Sequence, residues 1–148
     1  MDNSYIQKSF YEKTARNRIA SIVDRHSFKE FLKPGSIPTS PNLASLDIVG
    51  SFDDGVIIGE AKIKGDSIFV MAQEGKFMGG AVSEIHGAKI VGTLLKAIEE
   101  QPKAIVFLID SGGVRLHEAN AGLITISEIM RAMLKVRNAG IPIITIIG

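Results

Sequence analysis

The chain has no cysteine among its 148 residues. This absence excludes disulfides, thiolate nucleophiles and cysteine-ligated zinc sites. It also fits a reducing compartment, so we expect a cytoplasmic protein. No apolar run approaches the roughly 20 residues that a membrane-spanning helix requires, and the first residues lack the apolar centre of a signal peptide. We therefore expect no membrane span.

An excess of one charge is also missing. Lysine and arginine total 17, aspartate and glutamate total 16, and the formal net charge is +1. Nucleic-acid binding by phosphate neutralisation needs a clear positive excess, so we expect no nucleic-acid partner. The histidines, His26, His86 and His117, have no metal-ligand spacing, and no metal site is predicted. With 45% apolar and 22% charged residues, the composition is that of a folded domain with a core.

The first 42 residues are predicted to form a helical arm and a linker. Ser9 and Glu12 have capping-box spacing at the start of one helix, and Ser27 and Glu30 have it at the start of a second, short helix. Residues 34–42 contain three prolines with Gly, Ser, Thr and Asn, which is typical of a linker.

From residue 56 onward, apolar periodicity predicts an α/β arrangement. The last two predicted strands are uniformly apolar, as parallel strands covered on both faces are. The loops that follow parallel strands lie along the same edge of the sheet, and such folds bind ligands at that edge. The predicted elements are strands over 56–63 and 68–72, a helix over 83–100, a strand over 104–109, a helix over 118–137 and a strand over 142–147.

Two glycine-rich loops each follow a predicted strand and precede a helix. Residues 75–80 end in Gly79-Gly80, and residues 110–115 contain Gly112-Gly113. Unpaired N–H groups at such a strand end can hold an oxyanion, whereas the alternative is a close-packed turn in each case. Neither loop matches a dinucleotide fingerprint, a Walker A motif or a nucleophile elbow.

Charged residues cluster around these loops. Glu84, Asp110, Arg115 and Glu118 are predicted to form an ion pair that pins a loop to the next helix. The helix after the second loop is predicted to bury its apolar stripe, which comprises Leu123, Ile126, Ile129, Met130, Met133 and Leu134.

The loop sequences resemble a known family. Residues 73–90 and 111–120, together with Ala15-Arg-Asn-Arg-Ile19, resemble the carboxyltransferase branch of the crotonase-like superfamily. Within that branch they are most similar to the β subunits of biotin-independent malonate decarboxylases. The resemblance implies a crotonase-like ββα spiral preceded by helices, with residues 43–148 forming the N-terminal part of the domain in an apparently truncated chain.

The activity implied by the resemblance is decarboxylation of a malonyl thioester, through an oxyanion-stabilised enolate, to an acetyl thioester and CO₂. The substrate is expected on the phosphopantetheine or CoA-like arm of an acyl carrier protein, with no cofactor bound directly. The expected partners are the γ subunit and the carrier subunit of a hetero-oligomer. The predicted catalytic residues are Gly112, Gly113 and Val114, and the predicted substrate-binding residues are Gly79, Gly80, Ala81, His86 and Arg115.

Several alternatives remain open at this point. Within the branch, a biotin-dependent acyl-CoA carboxyltransferase or decarboxylase subunit is the second candidate. The acetyl-CoA carboxylase β subunit carries a cysteine-rich zinc ribbon, which this cysteine-free chain lacks. Outside the branch, the alternatives are a Clp-type serine peptidase and a non-catalytic scaffold. In the superfamily a second oxyanion donor follows the strand equivalent to 143–147, and this chain ends at Gly148, so the fragment alone is expected to be inactive.

Overall fold

A five-stranded sheet forms the centre of the computed structural model, which describes residues 9–33, 36, 40–44 and 54–148. The strands lie in chain order across the sheet. The first three pair antiparallel and the last three pair parallel. They are β1 (Lys29–Glu30), β2 (Val56–Ile63), β3 (Asp66–Gln73), β4 (Ala104–Ile109) and β5 (Ile143–Ile147).

Helices cover both faces of this sheet. They are α1 (Ala15–Ile22), the short α2 (Pro41–Ala44), α3 (Glu84–Glu100) and α4 (Asn120–Asn138), with 3₁₀ turns at Phe10–Glu12, Met78–Gly80 and Leu116–Glu118. The side chain of Thr14 accepts a hydrogen bond from the N–H of Asn17 and caps α1. Ser83 caps α3 in the same way through the N–H of His86. Both caps satisfy N–H groups that have no partner within their helices.

The core consists of two apolar layers separated by the sheet. Alternate strand residues face opposite sides, as the period of a strand requires. Ile57, Val70 and Leu108 face α1, whose Ala15 and Ile19 complete that layer. The other layer faces α3 and α4, and its buried members include Ile58, Phe69, Met71, Ile90, Leu94, Ile105, Phe107, Ile129 and Val136.

The elements predicted from residue 56 onward are confirmed. The hairpin is β2–β3, the predicted strand over 104–109 is β4, and the two helices and the last strand match α3, α4 and β5 to within two residues at most ends. The predicted parallel pairing of the last strands is also confirmed.

The second predicted N-terminal helix is wrong. Residues 29–30 form β1, which pairs antiparallel with Glu60 and Gly59 of β2. A side chain on Gly59 would overlap the carbonyl oxygen of Lys29, so the glycine allows the two strands to approach. The capping-box spacing at Ser9 opens the short 3₁₀ turn instead of α1.

The prediction that α4 buries its whole apolar stripe is also wrong. Ile129 is buried, while Leu123, Met130 and Leu134 are 56–58% exposed. The buried face of α4 carries Gly122, Ile129, Ala132 and Val136, and it lies close to α3, where a side chain on Gly87 would overlap Thr125. Leu123, Met130 and Leu134 lie outside this face.

Among the described helices, none is long and apolar enough to cross a membrane. The predicted linker over 34–42 lies largely outside the described residues. The division of the chain at residues 42 and 43 stays a prediction.

Candidate functional site

The two glycine loops lie against each other at the carboxyl ends of β3 and β4. The N–H of Gly112 donates to the carbonyl of Gly79 at 2.8 Å. The N–H of Val82 donates to the carbonyl of Gly113 at 2.8 Å, and the N–H of Arg115 donates to the carbonyl of Val82 at 2.9 Å. The predicted juxtaposition of the loops is therefore confirmed, and backbone hydrogen bonds hold it.

Val114 forms an isolated parallel bridge with Val82. In such a bridge the neighbouring residues, Gly113 and Arg115, supply the hydrogen bonds, so the N–H of Val114 points away from Val82. Within the described part of the chain, no acceptor pairs with this N–H. The residue also lines a surface groove of about 300 Å³, formed with Met78, Ala81, Arg115, Leu116 and His117.

The other two predicted catalytic residues differ from Val114. The N–H of Gly112 is used by the Gly79 carbonyl, so in this conformation Gly112 positions the loop and does not present a donor. The N–H of Gly113 donates at 3.2 Å to the hydroxyl of Ser111, an exposed side chain. Gly113 has a φ of +121°, a conformation that other residues rarely adopt. Glycine is required there by the backbone, since a Cβ at Gly113 would meet no atom within 4 Å.

The first loop is packed tightly beneath the second. A Cβ on Gly80 would overlap the carbonyl oxygen of Asp110, and one on Gly75 would overlap the Asp110 carboxylate. Met78, Gly79 and Gly80 all have positive φ values. Three successive left-handed residues bring this backbone under the second loop.

Arg115 lies below the loops in a buried ion-pair network. Its Nη1 atom lies 3.0 Å from Oδ1 of Asp54 and 3.2 Å from Oε1 of Glu118, and all three side chains are at most 1% exposed. The guanidinium also lies 5.3 Å from the ring centroid of Phe77. Two carboxylates neutralise this cation, so it supports the loop. The predicted contact of Arg115 with substrate stays a prediction.

The predicted charge cluster forms only in part. Arg115 and Glu118 do pair, and the second carboxylate oxygen of Glu118 accepts the N–H of Glu84 at 2.7 Å. This contact joins the second loop to the first turn of α3. The carboxylate of Glu84 instead accepts hydrogen bonds from Ser40 and Asn42.

His86 is fully buried in the first turn of α3. Its Nε2 atom lies 3.2 Å from Nε2 of Gln73. Burial, assisted by the charges of Arg115 and Lys89, lowers the pKa of His86 from 6.5 to about 3. The ring is therefore neutral at physiological pH and acts as a hydrogen-bonding group. Its predicted contact with substrate stays a prediction, and its position places it beneath the loops.

Asp110 pairs with a residue that sequence reasoning did not identify. Nη2 of Arg18, on α1, lies 2.9 Å from Oδ2 of Asp110, and the arginine side chain is fully buried. The available signal was the position of Arg18 on the apolar face of its helix, between Ala15 and Ile22. A cation on a buried face requires a partner, and here the partner comes from the end of β4.

Asp54 is the second residue that sequence reasoning missed. Besides Arg115, it accepts a hydrogen bond from Ser83 at 2.9 Å, and it is 1% exposed. Nothing in its local sequence marks it as buried. Among the described residues, no three His, Asp or Glu side chains lie together in a way that a metal ion would require.

Comparison with known sequences identifies relatives over nearly the whole chain. Residues 9–148 match the carboxyl transferase domain family. The malonyl-S-ACP:biotin-protein carboxyltransferase MADC of Malonomonas rubra is 41% identical, covering 95% of this chain and 48% of that protein. The acetyl-coenzyme A carboxylase carboxyl transferase subunit β of Endomicrobium trichonymphae is 30% identical, covering 90% of this chain and 50% of that protein.

A solved structure agrees with this. The chain superposes with a TM-score of 0.86 on part of a Pseudomonas malonate decarboxylase hetero-tetramer that was crystallised in complex with malonate. The two are 37% identical, and the match covers 93% of this chain and 51% of that chain. The present chain thus spans about half the length of the relatives that it matches.

Proposed function

Because the chain belongs to the carboxyl transferase domain family, we propose that it forms part of a malonate decarboxylase acting on a malonyl thioester. The family and the crotonase-like fold confirm the resemblance that residues 73–90 and 111–120 indicate. The observation that carries the proposal is the N–H of Val114. It has no acceptor among the described residues and lies beside a groove at the carboxyl ends of the parallel strands β3 and β4.

The proposed reaction requires stabilisation of an enolate. The bond between the α-carbon and the carboxylate carbon breaks, and its electron pair forms the double bond of the enolate. The thioester oxygen takes the negative charge, and CO₂ leaves. One proton added to the α-carbon then gives the acetyl thioester. A backbone N–H that waits at the position of this oxygen lowers the barrier, because it binds the transition state more strongly than the ground state.

Val114 is the first donor in this proposal and Gly113 is the second. The N–H of Gly113 is covered only by the hydroxyl of the exposed Ser111, which can rotate away when a thioester oxygen arrives. Gly112 keeps the loop in register through Gly79. The three predicted catalytic residues therefore divide into two donors and one support.

In this proposal Arg115 does not bind the carboxylate of the substrate. A cation that gripped this carboxylate would stabilise the ground state and slow decarboxylation. The charge of Arg115 is already neutralised by Asp54 and Glu118. The carboxylate of the substrate thus meets no strong fixed partner from this residue.

The groove beside Val114 fits the arm that carries the substrate. Met78, Ala81 and the 86% exposed Leu116 give it apolar walls suited to the methylene groups of a pantetheine chain. Ala81 lines the groove, whereas the carbonyl of Gly79 accepts the N–H of Gly112 and the N–H of Gly80 donates to the carbonyl of Phe77. The predicted contact of these two glycines with substrate stays a prediction. We propose an acyl carrier protein as the source of the arm, with a γ subunit and the carrier subunit as partners in a hetero-oligomer.

A second candidate has a specific observation in its favour. The relative at 41% identity is by name a malonyl-S-ACP:biotin-protein carboxyltransferase. In that reaction the same enolate forms, but the carboxyl group passes to biotin on a carrier protein. The oxyanion site is common to both reactions, and only the acceptor of the carboxyl group differs.

One experiment separates the two candidates. The full-length protein, assembled with its partner subunits, is incubated with malonyl-carrier protein and analysed by mass spectrometry. Conversion of malonyl to acetyl carrier without any biotinylated protein, and in the presence of avidin, supports direct decarboxylation. Conversion that stops on addition of avidin supports transfer to biotin, and no conversion under either condition rules out both.

A further inference from the structure

Asp110 directly precedes Ser111 of the second glycine loop and is held by its carboxylate and by its N–H. Its carboxylate pairs with Arg18, and its N–H donates to Oε1 of Gln73 at 3.1 Å. Its carbonyl and carboxylate lie against Gly80 and Gly75, where neither position has space for a side chain. The residue is therefore fixed immediately before Ser111, the first residue of the loop.

Arg18 joins the ends of two strands to α1. Its Nη2 atom donates to the carbonyl of Gln73 at 2.5 Å and to the carboxylate of Asp110 at 2.9 Å. The arginine side chain is 0% exposed, whereas the side chain of Asp110 is 34% exposed and reaches solvent. Among the described residues, Asp110 is its one carboxylate partner. A buried cation with a single counterion holds that counterion in place, because separating the two leaves the cation without compensation.

Gln73 fixes both Asp110 and His86. Because Oε1 of Gln73 accepts the Asp110 N–H, the Nε2 end of the amide must face His86. An amide nitrogen is a donor only, so Nε2 of His86 accepts and the neutral ring carries its proton on Nδ1. Gln73 is 3% exposed, and both ends of its amide are used. It thus connects the first turn of α3 to the peptide that starts the second loop.

We propose that Arg18 and Gln73 are positioning residues that hold Asp110 and thereby set the direction of the Val114 N–H. This inference rests on the proposed function of Val114 as an oxyanion donor. Neither side chain reaches the groove, and neither contacts the reacting atoms. Their effect passes through Asp110 and the three residues that follow it.

The test uses two variants in the full-length protein assembled with its partner subunits. Gln73→Met keeps the length of the side chain and removes both hydrogen bonds, and Arg18→Lys keeps the charge and removes the planar donor geometry. The matched control is Arg16→Lys, on the same helix, because Arg16 pairs at the surface with Glu30. For each variant, kcat and KM for malonyl-carrier protein are measured, together with amide hydrogen exchange of residues 111–115.

We expect faster exchange in the loop and a kcat lowered by about 10- to 100-fold, since a displacement near 1 Å in an active site has an effect of this size. The KM is expected to change by less than about threefold, because the groove is untouched. The control should match the wild type. If the lost hydrogen bonds only weakened the fold, the melting temperature would fall, but kcat would not decrease while KM stayed nearly constant.

Two results would overturn the inference: exchange of 111–115 unchanged in both variants, or faster exchange with an unchanged kcat. If Arg18→Lys does not assemble, Gln73→Met alone decides. Inactivity of the wild-type complex is a failure of the proposed function, and the exchange measurement still decides whether Arg18 and Gln73 hold the loop.

Discussion

The two glycine loops are similar in sequence and opposite in packing. In the first loop, Gly75 and Gly80 are glycines because Asp110 occupies the space of their side chains. In the second loop, Gly113 faces open space and is glycine because of its φ of +121°. The first loop thus packs against the second and supports it, whereas the second loop exposes backbone N–H groups. A pair of glycines after a strand is compatible with both roles, and the atoms around each glycine determine which role it has.

Gly80→Ala tests the packing role of the first loop, and we expect it to have the largest effect of the substitutions proposed here. The alanine would carry a left-handed backbone and overlap the Asp110 carbonyl, which together should lower the free energy of unfolding by about 2–6 kcal/mol. The matched control is Gly79→Ala, with a similar φ of +65° and no atom within 4 Å. Urea unfolding of the full-length variants measures the difference. Equal losses in the two variants would contradict a packing role for Gly80.

Val114→Pro removes the donor assigned to the oxyanion while breaking no hydrogen bond to a described residue. We expect kcat for malonyl-carrier protein to fall by about 100- to 1,000-fold in the assembled complex, as it does when one oxyanion donor is lost. Val114→Ala keeps the N–H and is the control, with a much smaller loss. If the proline variant assembles and turns over normally, Val114 is not the donor.

The buried His86 predicts a pH dependence of stability. Its pKa is lowered from 6.5 to about 3 in the folded chain, so protonation favours the unfolded state. Above pH 6.5 the ring is neutral in both the folded and the unfolded chain, and His86 gives no pH dependence. As the pH falls from 6.5 towards 3, the free energy of unfolding decreases by at most about 1.4 kcal/mol per pH unit. His86→Gln should therefore flatten the slope of unfolding free energy between pH 6.5 and 4.5. A wild-type slope in His86→Gln would contradict the assignment.

Ser111→Ala should have the smallest effect. The hydroxyl covers the N–H of Gly113 from an exposed position, and exposed substitutions typically shift free energies by about 0.5 kcal/mol. We expect kcat to change by less than about threefold in the assembled complex. Loss of all activity would show that the hydroxyl itself takes part in the reaction and would contradict the minor role assigned to Ser111.

Local pattern was sufficient to predict the strands and helices from residue 56 onward. β4 is an unbroken run of six apolar residues ended by Asp110, and its short length between Pro102 and Gly112-Gly113 favours a buried strand over a helix. The meeting of the two loops followed from the topology, since parallel strands end at one edge. The sequence could not show that Gly112 uses its N–H internally, because that bond depends on the approach of Gly79.

The missed features depend on contacts between distant segments. β1 forms because Gly59 lets Lys29 approach, and no local pattern around residue 29 contains that information. Leu123 is exposed because α4 buries a different face, that of Ile129 and Ala132, against the rest of the fold. Arg18 gave a local signal, a cation on an apolar helix face, but its partner belongs to a different part of the fold.

The pairing of Arg18 with Asp110 has a consequence for the order of folding. The two residues are 92 positions apart in the chain, so loop closure between them is slow compared with formation of the β2–β3 hairpin. We expect the parallel strands to assemble first and the docking of α1 to complete the site afterwards. During synthesis on the ribosome, the side chain of Arg18 on α1 would then stay hydrated until β4 and Asp110 have emerged.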